Sequence, residues 1–538
     1  MLQFIILWRN SYEGFISKPI SRPVRYALLG TMMVLILLVR LATISFPALE
    51  WTAWKEIDYL YISQNFWQQG FDFFHPEMGW PAEPPRVTEM ELPLVPFVAA
   101  LFYEFFGFSA YTARATTMIA SLVMMFYVYK LVTREVGESA GVIAAFTAGV
   151  LPLYHPFSRF LFTEPVMIAL SVASLYYVAE WVEFERRRDF LMAFIMFSLT
   201  IALKLESLYL FLPISWIAFR KYGWGIKQYK RLAFLLILAL ILPALWYIYA
   251  YYLEITGAHL FGIFIGHDKS QTLSMLSNIQ WYRTMAGRVI NGILGGFFGT
   301  ALFVTGLASA VWLRKAGLFV SYLAAVGVYF ALVAEGNIDA PYRQLPLIPS
   351  ASLFIALGVQ AVIAIFIAFT RTLKRDRAVV VSNQSHSVVP LLACFVLVVI
   401  IPWQNFGSII GYNGPAHTDR WELAQKITKY SGEESKLIVV GEYSKHVGGY
   451  DLSPVLYYYS NLQGWTLTPE DWNLEKIKEL SLRGATLFVA APPYNDPNAV
   501  NYQPEQLPVS FIVELKKHYP VLYENPNQII LDLSNPFK

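Results

Sequence analysis

The chain has 538 residues, 56% hydrophobic and 15% charged, with a mean hydropathy of +0.45. One soluble core cannot absorb that much apolar surface, so the composition predicts a polytopic α-helical membrane protein. The net charge of +3 is small and dispersed, with no basic stripe carrying interleaved aromatics, which excludes nucleic acid as an expected partner, and the single cysteine, Cys394, lies in an apolar run and supports neither a disulfide framework nor a cysteine metal site.

Arg9, Lys18, Arg22 and Arg25 precede an apolar segment over 26–46, long enough to cross a bilayer of about 30 Å. No small-residue cleavage site follows, so a retained first span is expected. An acidic, aromatic-rich stretch comes next, WKEIDYLYISQNFWQQGFDFFHPEMGW from Trp54 to Trp80. The segment LPLVPFVAALFYEFFG over 92–107 is apolar but carries Glu104 and two prolines. Further apolar windows fall near 115–130, 139–154, 165–182, 190–203, 207–219, 232–252, 289–312, 317–334, 345–369 and 387–402. With the first span they give about eleven crossings.

Loop charge decides whether 92–107 is another span. If it is not, the basic loops YKLVTREVGE, EFERRRDF, RKYGWGIKQYKR, LRKAG and TRTLKRDR all join the basic N-terminus on the cytoplasmic side, as the positive-inside rule requires. Residues 92–107 are therefore expected to form an amphipathic helix along the outer interface. Loops 47–114, 155–164, 204–206, 253–288 and 335–344 then face outward. Beyond Pro402 the apolar runs shorten to strand length (KLIVVGE, ATLFVAA) and alternate with helical segments such as DWNLEKIKELSLRG, the pattern of a small α/β domain. The expected organisation is a transmembrane domain over 1–402, with 47–114 as its first outer loop and interfacial helices, and a soluble extracytoplasmic α/β domain over 403–538.

No GxxxxGK[ST] loop and no strand-flanked GxGxxG is present, so no nucleotide site is expected, and zinc-hydrolase His/Glu spacings are absent. Polar residues instead gather at the outer ends of spans: Glu56, Asp58, Glu91, Glu164, Lys204, Glu206, Asp339 and Arg343. Any one of them fits a solvated helix end. As a set they supply what a polar reaction at the membrane edge needs, carboxylates to take a proton or hold a metal and cations to receive a departing phosphate. Lys204 and Arg343 are the candidate phosphate ligands, each contact worth about 1.5–3 kcal/mol in a partly dry site; the alternative is a snorkelling anchor. His155, His259 and His267 lie in outer segments without sequence partners and are expected to be structural. Loop 253–288 is long enough to act as a flap, with Gly257, Gly262 and Gly266 as hinges. The aromatics of 54–80 fit an interfacial belt, with sugar stacking as the alternative.

The order EIDYLYISQNF…GFDFFHPE, MELPLVPFVAALFYEFFG, RATTMIASLVMMFYVYKLVTREVG and FSRFLFTEPVMIALSVASLYY resembles the membrane glycosyltransferases of the C superfamily, in the branch of protein O-mannosyltransferases and lipid A aminoarabinose transferases. ALKLESLYLFLP resembles their "TK" segment, YRQLPLIPSASLFIALG their late LP-LIP helix, and SPVLYYYSNLQGW is similar to the external domain of prokaryotic members. The resemblance implies a sugar donor on a polyprenyl or dolichyl phosphate, transfer at the outer face of the cell's plasma membrane, and a lipid, polysaccharide or protein acceptor. Asp58 matches the first-loop acid that activates the acceptor, and Glu164 in FTEPV the second-loop acid that orients the acceptor or holds a cation. Glu56 is a further catalytic candidate. Glu91 corresponds to a metal-binding position of aminoarabinose transferases, but the lysine that follows there is Leu92 here, so a divalent metal stays an open cofactor. Two other readings remain. One is a transporter or flippase of lipid-linked glycans, which nearly charge-free mid-span regions argue against. The other is a silent scaffold that recruits partners through its C-terminal domain.

Overall fold

The computed structural model describes every residue except 1, 18, 43, 45–47, 50–52, 81, 258–260, 262, 265–271, 374–388, 405–417, 433, 441–442, 445–448, 451–452, 492–506 and 538. The described chain is mostly helical and forms two compact units. One comprises 1–44, 117–244 and 270–412, the other 45–116, 245–269 and 413–538.

Five described helices are long and apolar enough to cross a membrane: Arg22–Ala42, Ala110–Glu135, Thr163–Phe184, Tyr229–Thr256 and the stretch Pro341–Phe369. The expected span 289–312 is not continuous. Residues Ile279–Ile293 and Gly296–Trp312 meet at an angle of 93°, and counting them as one gives a sixth crossing. The bend falls at Gly295 and Gly296, whose φ values of +74° and +87° lie where only glycine is at ease. Shorter apolar helices cover Leu94–Phe106, Glu138–Val150, Gly317–Leu332 and Leu391–Trp403.

In the first unit, helix Ile348–Leu373 is packed on several sides. A Cβ on Gly358 would lie 1.9 Å from the Leu302 carbonyl oxygen, and one on Gly306 only 1.7 Å from that of Phe354. This helix and Gly296–Trp312 therefore touch backbone to backbone, the close approach that small residues permit. Buried polar ties add register: Gln360 donates to the Ser139 hydroxyl at 2.7 Å, which itself donates to the Phe15 carbonyl at 2.7 Å. Cys394 is buried.

The second unit holds helices Ala53–Gln69 and Leu94–Phe106 and the C-terminal α/β fold. Its strands are β1 Lys436–Val440, β2 Tyr443–Ser444, β3 Gly449–Tyr450, β4 Gln463–Thr466, β5 Ala485–Ala490, β6 Val521–Glu524 and β7 Ile529–Asp532. The main sheet runs β4-β1-β5-β7-β6, with β1 parallel to β4 and β5, and β7 antiparallel to β5 and β6. Short strands joined through helices give the parallel half, as the alternating pattern predicts. Ile438, Phe488 and Leu531 from the sheet pack against Ile477, Leu480 and Leu515 from helices Leu474–Leu482 and Val509–His518. The first loop is part of this unit. The Gly464 N–H donates to the Gly79 carbonyl at 3.1 Å, Trp80 stacks on Tyr457 with centroids 5.4 Å apart, and Ala82 enters the same core.

Candidate functional site

In the first unit, four of the residues marked by sequence converge in one cleft. Helix Thr163–Phe184 starts from an extended Phe162 and places Glu164 in its first turn, where the helix dipole favours a carboxylate. Lys204 ends helix Arg187–Leu203 in an extended conformation and leads into the 3₁₀ turn Leu205–Leu210, which carries Glu206. Arg343 sits on a second 3₁₀ segment, Pro341–Leu347. The Lys204 ammonium lies 3.6 Å from Glu164 Oε1, and Arg343 Nη1 lies 3.5 Å from Glu206 Oε1. Met167, Ser207, Tyr209, Tyr329 and Pro346 complete the lining. Two cations and two carboxylates therefore balance within a cavity of about 10 Å³, room for about one water.

The two ion pairs differ in exposure. Glu164 is 2% exposed and Lys204 17%, whereas Glu206 and Arg343 are 29% and 33% exposed. The Glu164 pair is enclosed, and the Glu206 pair is partly open to solvent.

In the second unit, helix Ala53–Gln69 carries both Glu56 and Asp58, and both are buried. Arg114 donates to Glu56 through Nε at 2.7 Å and Nη2 at 2.6 Å, a two-pronged contact with both side chains sealed from solvent. Burial and the Glu56 charge hold the Tyr458 hydroxyl well above the usual phenol range, against the pull of Arg114. Tyr59, on the same helix, donates to Glu91. Among the described residues no group of three or more His, Cys, Asp or Glu side chains converges.

The start of loop 253–288 is tied down. Buried Glu89 accepts the Phe261 N–H at 2.6 Å, and buried Glu254 accepts that of Phe264 at 3.0 Å. Gly257 packs on the Val87 carbonyl, where a Cβ would lie 2.4 Å away, so this glycine serves close approach. Gly262, Gly266, His259 and His267 lie outside the described residues, as does the Asp339 side chain. His155 is buried, and its pKa is pushed down to about 3 by burial, then by Arg40 and Arg159. A neutral, packed imidazole matches the structural role expected of it.

Sequence inspection passed over Arg114 and assigned no task to Glu206. The signal for Arg114 was present: one arginine in an otherwise uncharged helical stretch asks for a buried partner. Nothing local pairs Glu206 with Arg343, which are 137 residues apart.

Residues 85–247 match the family model described as dolichyl-phosphate-mannose-protein mannosyltransferase. No curated protein sequence matches the chain. Among solved structures, ArnT from Cupriavidus metallidurans bound to undecaprenyl phosphate superposes with a TM-score of 0.60 at 13% identity, covering 95% of this chain and 98% of that one. The Archaeoglobus fulgidus oligosaccharyltransferase in the apo form gives 0.57 at 11% identity, covering 94% and 80%. The same enzyme tethered with an acceptor peptide gives 0.53 at 11% identity, covering 88% and 69%. The fold is thus shared along nearly the whole chain, and in motif order, in the matched segment and in fold this chain resembles the C-superfamily membrane glycosyltransferases.

Proposed function

We propose that this chain is an integral membrane glycosyltransferase that moves a sugar from a polyprenyl- or dolichyl-phosphate donor to a lipid, polysaccharide or protein acceptor at the outer face of the plasma membrane. Residues 1–402 form the catalytic membrane domain and 403–538 an extracytoplasmic domain. The observation that carries this reading is the gathering of Lys204 and Arg343, far apart in sequence, in one cleft with carboxylate counter-charges. Such a cleft suits a phosphate, which brings the negative charge that the carboxylates now supply. The solved neighbours whose names include undecaprenyl phosphate and an acceptor peptide support donor and acceptor classes of this kind.

In the proposed reaction, Asp58 takes the proton of the acceptor hydroxyl as its oxygen bonds to the anomeric carbon. The bond from that carbon to the phosphate oxygen breaks, and the electron pair leaves with the polyprenyl phosphate. Lys204 and Arg343 stabilise the charge on the departing phosphate. Glu164 fixes Lys204, and Glu56, held by Arg114, braces the helix that carries Asp58.

The test is release of polyprenyl phosphate from a panel of synthetic polyprenyl-phosphate sugars by purified protein in nanodiscs, comparing wild type with Asp58→Asn. Turnover of one donor by wild type and its loss in the variant is the expected result. Passage of an intact donor across the bilayer of sealed proteoliposomes without cleavage would replace the enzyme by a transporter.

A further inference from the structure

The Arg343 head group has an unusual seat. A Cβ on Gly336 would lie 2.6 Å from Arg343 Nη1, 2.9 Å from Cζ and 3.2 Å from Nε, so the guanidinium lies against a bare Cα. That seat is itself anchored. The short helix Ala334–Asp339 offers its carbonyls to three donors from outside: Trp281 reaches Ala334 at 2.9 Å, and Arg288 and Gln344 reach Asn337 at 2.8 and 2.7 Å. Tyr329 donates to the Arg343 carbonyl at 3.0 Å. Backbone and head group of Arg343 are thus both located, and only the face toward Glu206 remains adjustable.

Glu206 occupies that face loosely. Its single contact of 3.5 Å contrasts with the two contacts near 2.6–2.7 Å that bind Glu56 to Arg114. Little room is left beside it, so a phosphate oxygen that contacts Arg343 on this face takes the place the carboxylate occupies. Glu164 cannot give way, being 2% exposed, whereas Glu206 has solvent to swing into.

We propose that Glu206 is a resident stand-in for the donor phosphate, holding Arg343 until the phosphate displaces it, and that Gly336 is the positioning residue that keeps the guanidinium aimed at the incoming anion. This rests on the reading of Lys204 and Arg343 as phosphate ligands. It adds a competition: the carboxylate weakens donor binding, and in return the part-exposed guanidinium always has a counter-charge. A polyprenyl phosphate therefore binds by exchange of one anion for another. The polyprenyl-phosphate product leaves as Glu206 returns.

Two substitutions are expected to act in opposite directions. Affinity for farnesyl phosphate is measured by calorimetry on the full chain in nanodiscs, with farnesol as the control for insertion of the chain alone. Glu206→Gln removes the competitor and tightens farnesyl phosphate binding about fivefold, the scale of a part-exposed ion pair. Gly336→Ala displaces only the flexible end of Arg343, so the protein still folds, and it weakens binding about tenfold. Farnesol binding is unchanged in both. The gain from Glu206→Gln must vanish in an Arg343→Gln background, because the carboxylate acts through that guanidinium. A gain that survives there reflects the general field of the site and overturns the proposal, as does unchanged or weaker binding by Glu206→Gln. If Arg343→Gln and Lys204→Gln each bind farnesyl phosphate like wild type, the phosphate site itself is wrong and this inference falls with it. If they lose binding while Glu206→Gln gains none, only the exchange is refuted.

Discussion

Replacing Glu56 by glutamine distinguishes a bracing carboxylate from a catalytic one. Arg114 approaches Glu56 at 2.6 and 2.7 Å, and neither side chain has meaningful solvent access. At an effective dielectric of about 20, two unit charges at this spacing attract by about 6 kcal/mol. Dehydrating both groups offsets much of that, so the pair adds little net stability. Removing one partner is different, because the buried guanidinium keeps its dehydration cost and loses its counter-charge, a penalty of about 3–5 kcal/mol. Glu56→Gln is therefore expected to melt well below wild type in nanodiscs. The double variant Glu56→Leu with Arg114→Met removes both charges and is expected to recover most of the loss. Release of polyprenyl phosphate per folded molecule should then return in the double variant. A Glu56→Gln protein that melts like wild type would refute the energetic argument. A double variant that folds but cannot release polyprenyl phosphate would make Glu56 part of the chemistry.

His155 gives stability a pH dependence. Its folded pKa of about 3 lies below the value near 6.5 expected for the unfolded chain, so its contribution is complete above about pH 6.5 and is lost as pH falls toward 3. The slope approaches about 1.4 kcal/mol per pH unit within that window. His155→Gln should flatten the melting profile between pH 6.5 and 4.5, and parallel profiles for the two proteins would contradict the assignment. Gly358→Ala places a methyl group against the Leu302 carbonyl, a backbone contact that cannot swing away. It is expected to cost about 1–3 kcal/mol or more, seen as earlier melting and faster proteolysis, and an unchanged melting curve would show that the two helices are free to separate.

Hydropathy alone located the apolar segments and the change of character after Pro402, because both are statements about composition along the chain. It could not see the right-angle break at Gly295 and Gly296, since the flanking residues are apolar on both sides and a window average treats glycine as neutral. The pair GG inside an apolar run was the visible sign, and its backbone freedom is what the bend uses. The polar residues of the cleft were legible one at a time as costly charges near span ends. Their pairing was not, because Glu164 meets Lys204 and Glu206 meets Arg343 only after distant helices have packed. Glu56 shows the same limit: its charge was legible, and its ion pair with Arg114, 58 residues away, was not. The resemblance carried the functional expectation further than physics could, since no spacing in the sequence specifies a lipid phosphate.

The segment that carries Arg343 shows how local sequence and distant packing combine. In a 3₁₀ turn each N–H is donated to the carbonyl three residues earlier. Proline has no N–H, so Pro346 leaves the Arg343 carbonyl without its turn partner, and Pro349 does the same to the carbonyl of Pro346. Both oxygens are found by hydroxyls from helix Gly317–Leu332. Tyr329 donates to Arg343 at 3.0 Å and Tyr322 to Pro346 at 2.9 Å. The tyrosines are seven residues apart, two helical turns, and so project from one face toward the two open carbonyls. Leaving either carbonyl buried without a donor would cost about 1–3 kcal/mol. The prolines therefore stiffen the turn and at the same time create the acceptors by which a neighbouring helix locks it. Arg343 inherits a fixed backbone from this arrangement, which is what a guanidinium needs if only its counter-ion is to move.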